Sequence, residues 1–479
     1  MIFLFLPPAV ASDARAPLRD FSRPEAGETH PGGAATHFKT RGPNAFSLRS
    51  ANMGLERGLT FKVGDGFFKR TWVAAPASTK ASDGLGPLFN AKSCRQCHIK
   101  DGRGHPPAAN WPADDAVSMF LKLSIPPETA APRRALAAGR IDAVAEPTYG
   151  AQLQDLAIPG RDIEGRLHVT YEERKVTLAD GTAVALRAPS YAITDLGYGA
   201  LHPKTMISLR VAPPMIGLGL LEQIPESAIR ANADAGDRDG DGISGRAGRG
   251  WDPKRRTAAL GRFGWKASKP TLDAQNQAAF STDIGISTPF RPAPAGDCTA
   301  GQPDCLGAPH GDDAHYDNLE APVTVTDLVL FYTRHLAVPG RPDAGDRQVL
   351  AGKKVFHESG CTACHVPNFR TIADGPEPEL RDQLIWPYSD LLLHDMGDGL
   401  SDDRPEGAAS GREWRTPPLW GIGLTRTVSG HTYFLHDGRA RSLLEAILWH
   451  GGEAEAARER VKALPKSGRD ALLAFLESL

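Results

Sequence analysis

Two short strings carry the most specific chemistry in the chain: Cys94-Arg-Gln-Cys97-His98 and Cys361-Thr-Ala-Cys364-His365. C-x-x-C-H is the attachment signal for haem c. Its two thiols bond to the vinyl groups, and the adjacent imidazole serves as the proximal iron ligand. A single copy also suits a redox dithiol or half of a zinc site. Two copies, each followed directly by His, point to two haems.

Each iron then needs a sixth position. Ile447-Leu-Trp-His450-Gly-Gly ends a helical pattern in the C-terminal part, and His450 is the candidate distal ligand of the second haem. His394 and Met396 also offer ligand atoms but stand among acidic turn residues. Arg415, His436 and Arg439 are candidates for contacting haem propionates, the last two within His436-Asp-Gly-Arg439. Peroxide chemistry at an open iron needs a distal acid/base. Glu222, Glu226 and His105 are the candidates. Trp251, Trp265, Trp386 and Trp420 are candidates for an electron relay, although core packing is the commoner role of Trp.

Asp237-Arg-Asp239-Gly-Asp241-Gly fits the first half of a calcium loop, with Asp237, Asp239 and Asp241 as ligands. Position twelve is Gly248, so the bidentate Glu of an EF-hand is missing. Cys298 and Cys305 have no His beside them and read as a local disulfide, which calls for an oxidising compartment.

These residues need elements to position them, and an internal repeat supplies a frame. Phe89 and Phe356 each stand five residues before the first Cys of a motif. Further on, Arg210-Val-Ala-Pro-Pro-Met-Ile-Gly-Leu-Gly-Leu220 matches Arg415-Thr-Pro-Pro-Leu-Trp-Gly-Ile-Gly-Leu424 with one gap. Carried onward, this alignment sets Asn232 where His450 stands. The repeat therefore suggests unequal haems, the second closed by two His and the first open. Helical patterns recur at 319–336, 345–360, 441–450 and 453–478. Segments 166–172 and 174–186 read as a hairpin turning at Asp180-Gly181. Residues 290–320 read as a long ordered loop.

The expected fold is mainly α: two cytochrome c-like haem modules with long irregular loops and a small β insertion in the first. The expected boundaries are a signal segment at 1–11, an extended arm at 12–44, a first module at 45–335 and a second at 336–479. The signal reading rests on a short apolar run ending in Ala9-Val10-Ala11. It gives a periplasmic or secreted location. The chain has 479 residues and a formal net charge of -2, without a long basic run, so nucleic acid is not an expected partner. No later segment has the 18 uninterrupted apolar residues of a membrane span.

Longer strings resemble the di-haem oxidoreductase family of putative peroxidases. They are Tyr149-Gly-Ala-Gln-Leu-Gln154, Asp239-Gly-Asp-Gly-Ile-Ser-Gly-Arg246, Leu260-Gly-Arg-Phe-Gly-Trp-Lys266, Leu391-Leu-Leu-His-Asp-Met-Gly397 and Phe434-Leu-His-Asp-Gly-Arg-Ala440. The similarity runs from about residue 45 to the C-terminus. The second module is also similar to bacterial cytochrome c peroxidases and to the di-haem enzyme that matures methylamine dehydrogenase. In them the offset of His450 holds Met or Tyr, so His450 implies a bis-His haem of lower potential. The resemblance also implies a calcium ion between the haems. It implies an oxidoreductase with two covalent haems c. A small redox protein or other donor would supply electrons, and peroxide or a small or protein substrate would take part. A non-catalytic electron carrier and a protein-modifying enzyme are the competing expectations, and a thiol–disulfide protein is a third.

Overall fold

The computed structural model describes residues 18–114 and 118–479. The proposed signal segment at 1–11 lies outside the described residues. Helices hold 31% of the chain and strands 18%, the latter in several small sheets. The expectation of a mainly α, cytochrome c-like fold is therefore corrected. Every sheet among the described residues has two strands. Apart from the predicted hairpin, these strands are at most six residues long, too short for a period of two to stand out between Pro and Gly.

The longer elements are α1 (Leu55–Lys69), α2 (Leu272–Asp283), α3 (Val323–Arg334), α4 (Arg347–Glu358) and α5 (Lys466–Ser478). Strand β1 (Met119–Ser124) pairs with β4 (Met206–Val211), β2 (Arg166–Thr177) with β3 (Ala183–Thr194), and β5 (Leu393–Asp395) with β6 (Glu413–Arg415), all antiparallel. Local chemistry sets several starts. Thr271 caps α2 by accepting the Ala274 N–H at 3.1 Å, and Asp346 caps α4 by accepting Gln348 N–H at 2.7 Å. The helical pattern at 453–478 breaks at Leu464-Pro465 into Glu455–Ala463 and α5, because Pro disfavours the helical conformation of the residue before it.

Each half contains one helix crossing of the same kind. α1 packs on α3, and α4 packs on α5. Gly64 of α1 leaves no room for a Cβ beside the Leu328 carbonyl and Tyr332, and Gly352 of α4 none beside the Ala471 carbonyl and Phe475. Four residues on from each glycine comes a Phe, Phe68 or Phe356, whose ring lies 6.2 Å from His98 or His365. This places Phe68, rather than the Phe89 of the sequence repeat, as the counterpart of Phe356. Replacing Gly352 with Ala is expected to lower stability by about 1–3 kcal/mol through overpacking. Denaturant unfolding measures it, and an unchanged midpoint would refute the tight crossing.

The second repeated string forms one contact between the halves. Gly217 and Gly421 both take left-handed backbone, with φ of 68° and 74°. Gly217 abuts the Trp420 ring, and Gly421 abuts Ile216. The residue before each glycine thus covers the other repeat's glycine, as in an approximate two-fold.

The hairpin turns at Asp180-Gly181 and straps the halves together. At its tip Asp180 pairs with Arg469 of α5 at 2.6 Å, and midway Tyr191 donates to Asp437 at 2.7 Å. The described part of the N-terminal stretch is not free either. Glu28, 1% exposed, pairs with Arg341 at 2.9 Å and Lys353 at 2.7 Å, both in the second half.

Cys298 and Cys305 are bonded as a disulfide. Gln302, inside that loop, donates to Glu164 at the foot of the hairpin at 2.6 Å. Burial pushes the Glu164 carboxyl up to about 8, against the hydrogen bonds from Gln302 and Gln154 N–H. A carboxyl raised in the folded state makes stability fall as pH rises from its unfolded value of 4.5 to about 8. Glu164→Gln is expected to stabilise the protein by a few kcal/mol at pH 8, since each pH unit in that window costs the wild type about 1.4 kcal/mol, and little at pH 4. Melting curves at both pH values check this. A gain independent of pH would contradict the assignment.

Candidate functional site

One continuous cavity of about 960 Å³ is lined by both C-x-x-C-H strings. Cys94–Cys97 forms one helical turn with His98 at its end, and Cys361–Ala363 forms a tighter one. His98 donates Nδ1–H to the Pro213 carbonyl at 2.9 Å, and His365 donates Nδ1–H to the Tyr388 carbonyl at 2.9 Å. That bond fixes the tautomer and leaves Nε2 as the basic nitrogen, the arrangement of a metal-binding imidazole. Burial pushes both imidazoles below their ordinary value, His365 to about 4, with His450 adding to the drop. The shift favours the neutral form, which a ligand must have.

His450 lies on the same cavity, one residue past Trp449, which caps the helix Leu443–Leu448. Its Nδ1–H donates to the Ala446 carbonyl at 2.7 Å, again leaving Nε2 basic. It is a third half-buried imidazole with its Nε2 free of a backbone partner, and it acts electrostatically on His365.

The thiols do not fit a redox dithiol. Burial pushes Cys94 and Cys361 up to about 12, Cys97 well above its ordinary value and Cys364 upward as well. Reactive dithiols have lowered values instead.

The cavity also holds two guanidinium groups that, among the described residues, have no carboxylate at hydrogen-bonding distance. Arg415 donates to the carbonyls of Gly264 and Thr416 at 2.9 and 3.0 Å, and Arg103 to those of Tyr433 and Leu435. Burial lowers each to about 10. Guanidinium groups bonded to carbonyls, with Asp437 and Asp390 acting on them only through space, suit an anionic occupant.

A family model described as "Di-haem oxidoreductase, putative peroxidase" matches residues 26–479. The chain belongs to this family. No curated protein and no solved structure matches it. The di-haem oxidoreductase is thus an oxidoreductase whose family has two haems, and the cavity bears on where they go. One space reaches both C-x-x-C-H strings, an imidazole with its Nδ1–H engaged stands at each, and guanidinium groups suited to carboxylates line it. The residues present fit the cofactor.

The other sequence candidates divide. His436 lines the cavity and stacks on Trp414 at 3.7 Å, with 11° between the rings. Arg439 does not line it. Its Nε donates to Asp437 at 2.8 Å, and the guanidinium lies 4.8 Å from the Trp449 ring centre. Glu222 caps α2 through Leu272 N–H at 2.9 Å and pairs with Arg334 at 2.6 Å. Glu226 is an exposed partner of Arg230, and His105 packs edge-on to His431. None of the three lines the cavity, and neither does Asn232. Trp251, Trp265 and Trp420 line it, whereas Trp386 packs near Tyr388. His394 is locked between Asp390 at 2.9 Å and Glu453 at 2.6 Å, with Cys364 Sγ 3.5 Å away. The carboxylates of Asp237, Asp239 and Asp241 bring oxygens within 4.8 Å of one another.

Sequence reading missed Asp283, Lys122, Arg103 and Trp414, all on the cavity. Asp283 ends α2, and its Oδ1 accepts from Gln152 Nε2 at 2.9 Å and from the Thr282 hydroxyl at 3.0 Å. Its charge acts on Cys94, Cys97 and His98, and it supports the buried Lys122 ammonium. The available signal was the string Tyr149–Gln154, whose Gln152 holds Asp283.

Among the described residues no helix is long and apolar enough to cross a membrane.

Proposed function

We propose that the protein is an exported, periplasmic or secreted, c-type di-haem oxidoreductase of the peroxidase kind. Haem c is attached at Cys94 and Cys97 with His98 as proximal ligand, and at Cys361 and Cys364 with His365. His450 closes the second haem, and the first is the reaction site. The observation that carries this reading is the shared cavity. Three neutral imidazoles present a basic Nε2 there, two of them at the second string and one at the first. When bound, the haems supply one-electron storage and, at an open iron, activation of a small oxidant.

The chain's own residues then have definite tasks. Pro213 and Tyr388 hold the proximal imidazoles in one tautomer. Arg103 and Arg415 hold propionates by charge. Asp283, whose Oδ1 accepts from Gln152 and Thr282, is the carboxylate on the cavity for the acid/base role. It replaces Glu222, Glu226 and His105 in that role. A calcium ion at Asp237, Asp239 and Asp241 belongs to the same reading. Ser244 on that loop donates to Glu453 at 2.6 Å, the residue that holds His394, so the loop touches the second haem's surroundings. A small redox protein is the proposed electron donor and peroxide the proposed oxidant.

The test is to express the protein with a haem c maturation system and record spectra with and without hydrogen peroxide. The reading expects one high-spin ferric haem that responds to peroxide and one low-spin haem. Two low-spin haems with no response would instead make the protein an electron carrier.

A further inference from the structure

Away from the haem cavity, three segments meet at the C-terminus of α3. His335 is fully buried and donates Nδ1–H to the Phe331 carbonyl at 2.8 Å, so its Nε2 is a lone-pair nitrogen. That nitrogen points at two carboxylates from the segment after the second attachment string. It lies 3.5 Å from Glu377 Oε2 and 3.4 Å from Glu379 Oε2. Three electron-rich atoms in a mostly buried place repel one another unless a cation lies between them. Arg334 reaches the outer oxygen, Glu377 Oε1, at 3.4 Å, and the cation between the three atoms is the guanidinium of Arg57, from α1. Its Nη2 is 2.6 Å from Glu377 Oε2, 3.0 Å from Glu379 Oε2 and 3.3 Å from His335 Nε2.

The spacing of these atoms is informative. Bonds of 2.0–2.2 Å to nitrogen and oxygen place the ligands of a tetrahedral ion about 3.3–3.6 Å apart. The two distances from His335 Nε2 fall in that range. The imidazole is supported by a backbone carbonyl, as metal-bound His is. Arg57 is the most accessible member, with 38% of its side chain exposed, and an entering ion would displace its bonds to both carboxylates and its contact with the Phe331 ring.

We propose that His335, Glu377 and Glu379 form a divalent metal site of the zinc type, closed by Arg57 when the metal is absent. One imidazole with two carboxylates favours a first-row transition ion over calcium or magnesium. None of the four residues lines the haem cavity. The site is nevertheless close to it. Leu336, next to His335, accepts the Gly217 N–H at 2.9 Å, and the following Leu218 lines the cavity. The proposal does not depend on how the haem cavity works.

Calorimetric titration of the chelator-treated holoprotein with Zn2+ tests it. The wild type should bind one Zn2+ that His335→Ala loses, an affinity drop of at least about 100-fold. Arg57→Ala should bind at least about tenfold tighter than wild type, because the competing guanidinium is gone. Glu379→Gln, which can still accept from Arg57, should weaken binding and serves if His335→Ala does not fold. The haem absorption of each variant reports folding. Equal zinc binding by the wild type and both ligand variants, or no gain in Arg57→Ala, would overturn the site and leave Arg57 as a fixed ion-pair partner.

Discussion

Replacing His450 with Ala is expected to leave two covalent haems per chain while one of them loses its low-spin signature and becomes open to added imidazole. The count stays because the proposed attachment is through the cysteines and not through His450. The spectrum changes because His450 shares the cavity with His365 and lowers its proton affinity. Its tautomer is fixed by Ala446 at 2.7 Å, so little reorganisation is needed to bind iron. His450→Met should keep the haem low-spin and raise its potential, since Met/His ligation favours higher potentials. Redox titration followed by absorption reads both effects. An Ala variant with the wild-type spectrum would remove His450 from the coordination sphere.

The second large effect concerns stability. Asp437 is 1% exposed and accepts from Arg439 Nε at 2.8 Å and Tyr191 at 2.7 Å. Burial alone would raise its carboxyl, but Arg439 and His436 hold it well below the usual range. Asp437→Ala leaves the buried Arg439 cation without its carboxylate partner and the Tyr191 hydroxyl without an acceptor. Breaking a buried pair from one side costs about 3–5 kcal/mol. Asp437→Asn, which keeps hydrogen bonds but not charge, should lose less. Chemical unfolding measures both, and a loss below about 1 kcal/mol for the Ala variant would mean Arg439 finds another partner.

Much of the site was legible because its chemistry is local in sequence. C-x-x-C-H places thiols and imidazole within one turn, and no tertiary information is needed to read it. The hairpin was legible from Asp180-Gly181 and its flanking alternation. The acid/base candidates were not, because they were carried over from one half to the other by alignment. Glu222 follows the repeated glycine string correctly, yet caps α2 and pairs with Arg334. Asp283 reaches the cavity only through the packing of α2 and a hydrogen bond from Gln152, 131 residues away. The fold class went astray for a related reason. The helices announced themselves by periodicity, while short two-stranded ladders such as β5–β6 take their partners from distant segments. Even the repeat misled in one place. Phe89 matches Phe356 by position, but Phe68 does its work, and the shared Gly-x-x-x-Phe of α1 and α4 was the better guide.

The central claim is that two haems occupy the one cavity, each fixed by its own C-x-x-C-H string. Intact mass under denaturing conditions tests it most directly, on the wild type and on Cys94→Ala/Cys97→Ala and Cys361→Ala/Cys364→Ala variants made with a haem c maturation system. A mass increment of two haems is expected for the wild type and of one haem for each double variant. A wild-type chain with no covalent haem, or a double variant that still carries two, would contradict it.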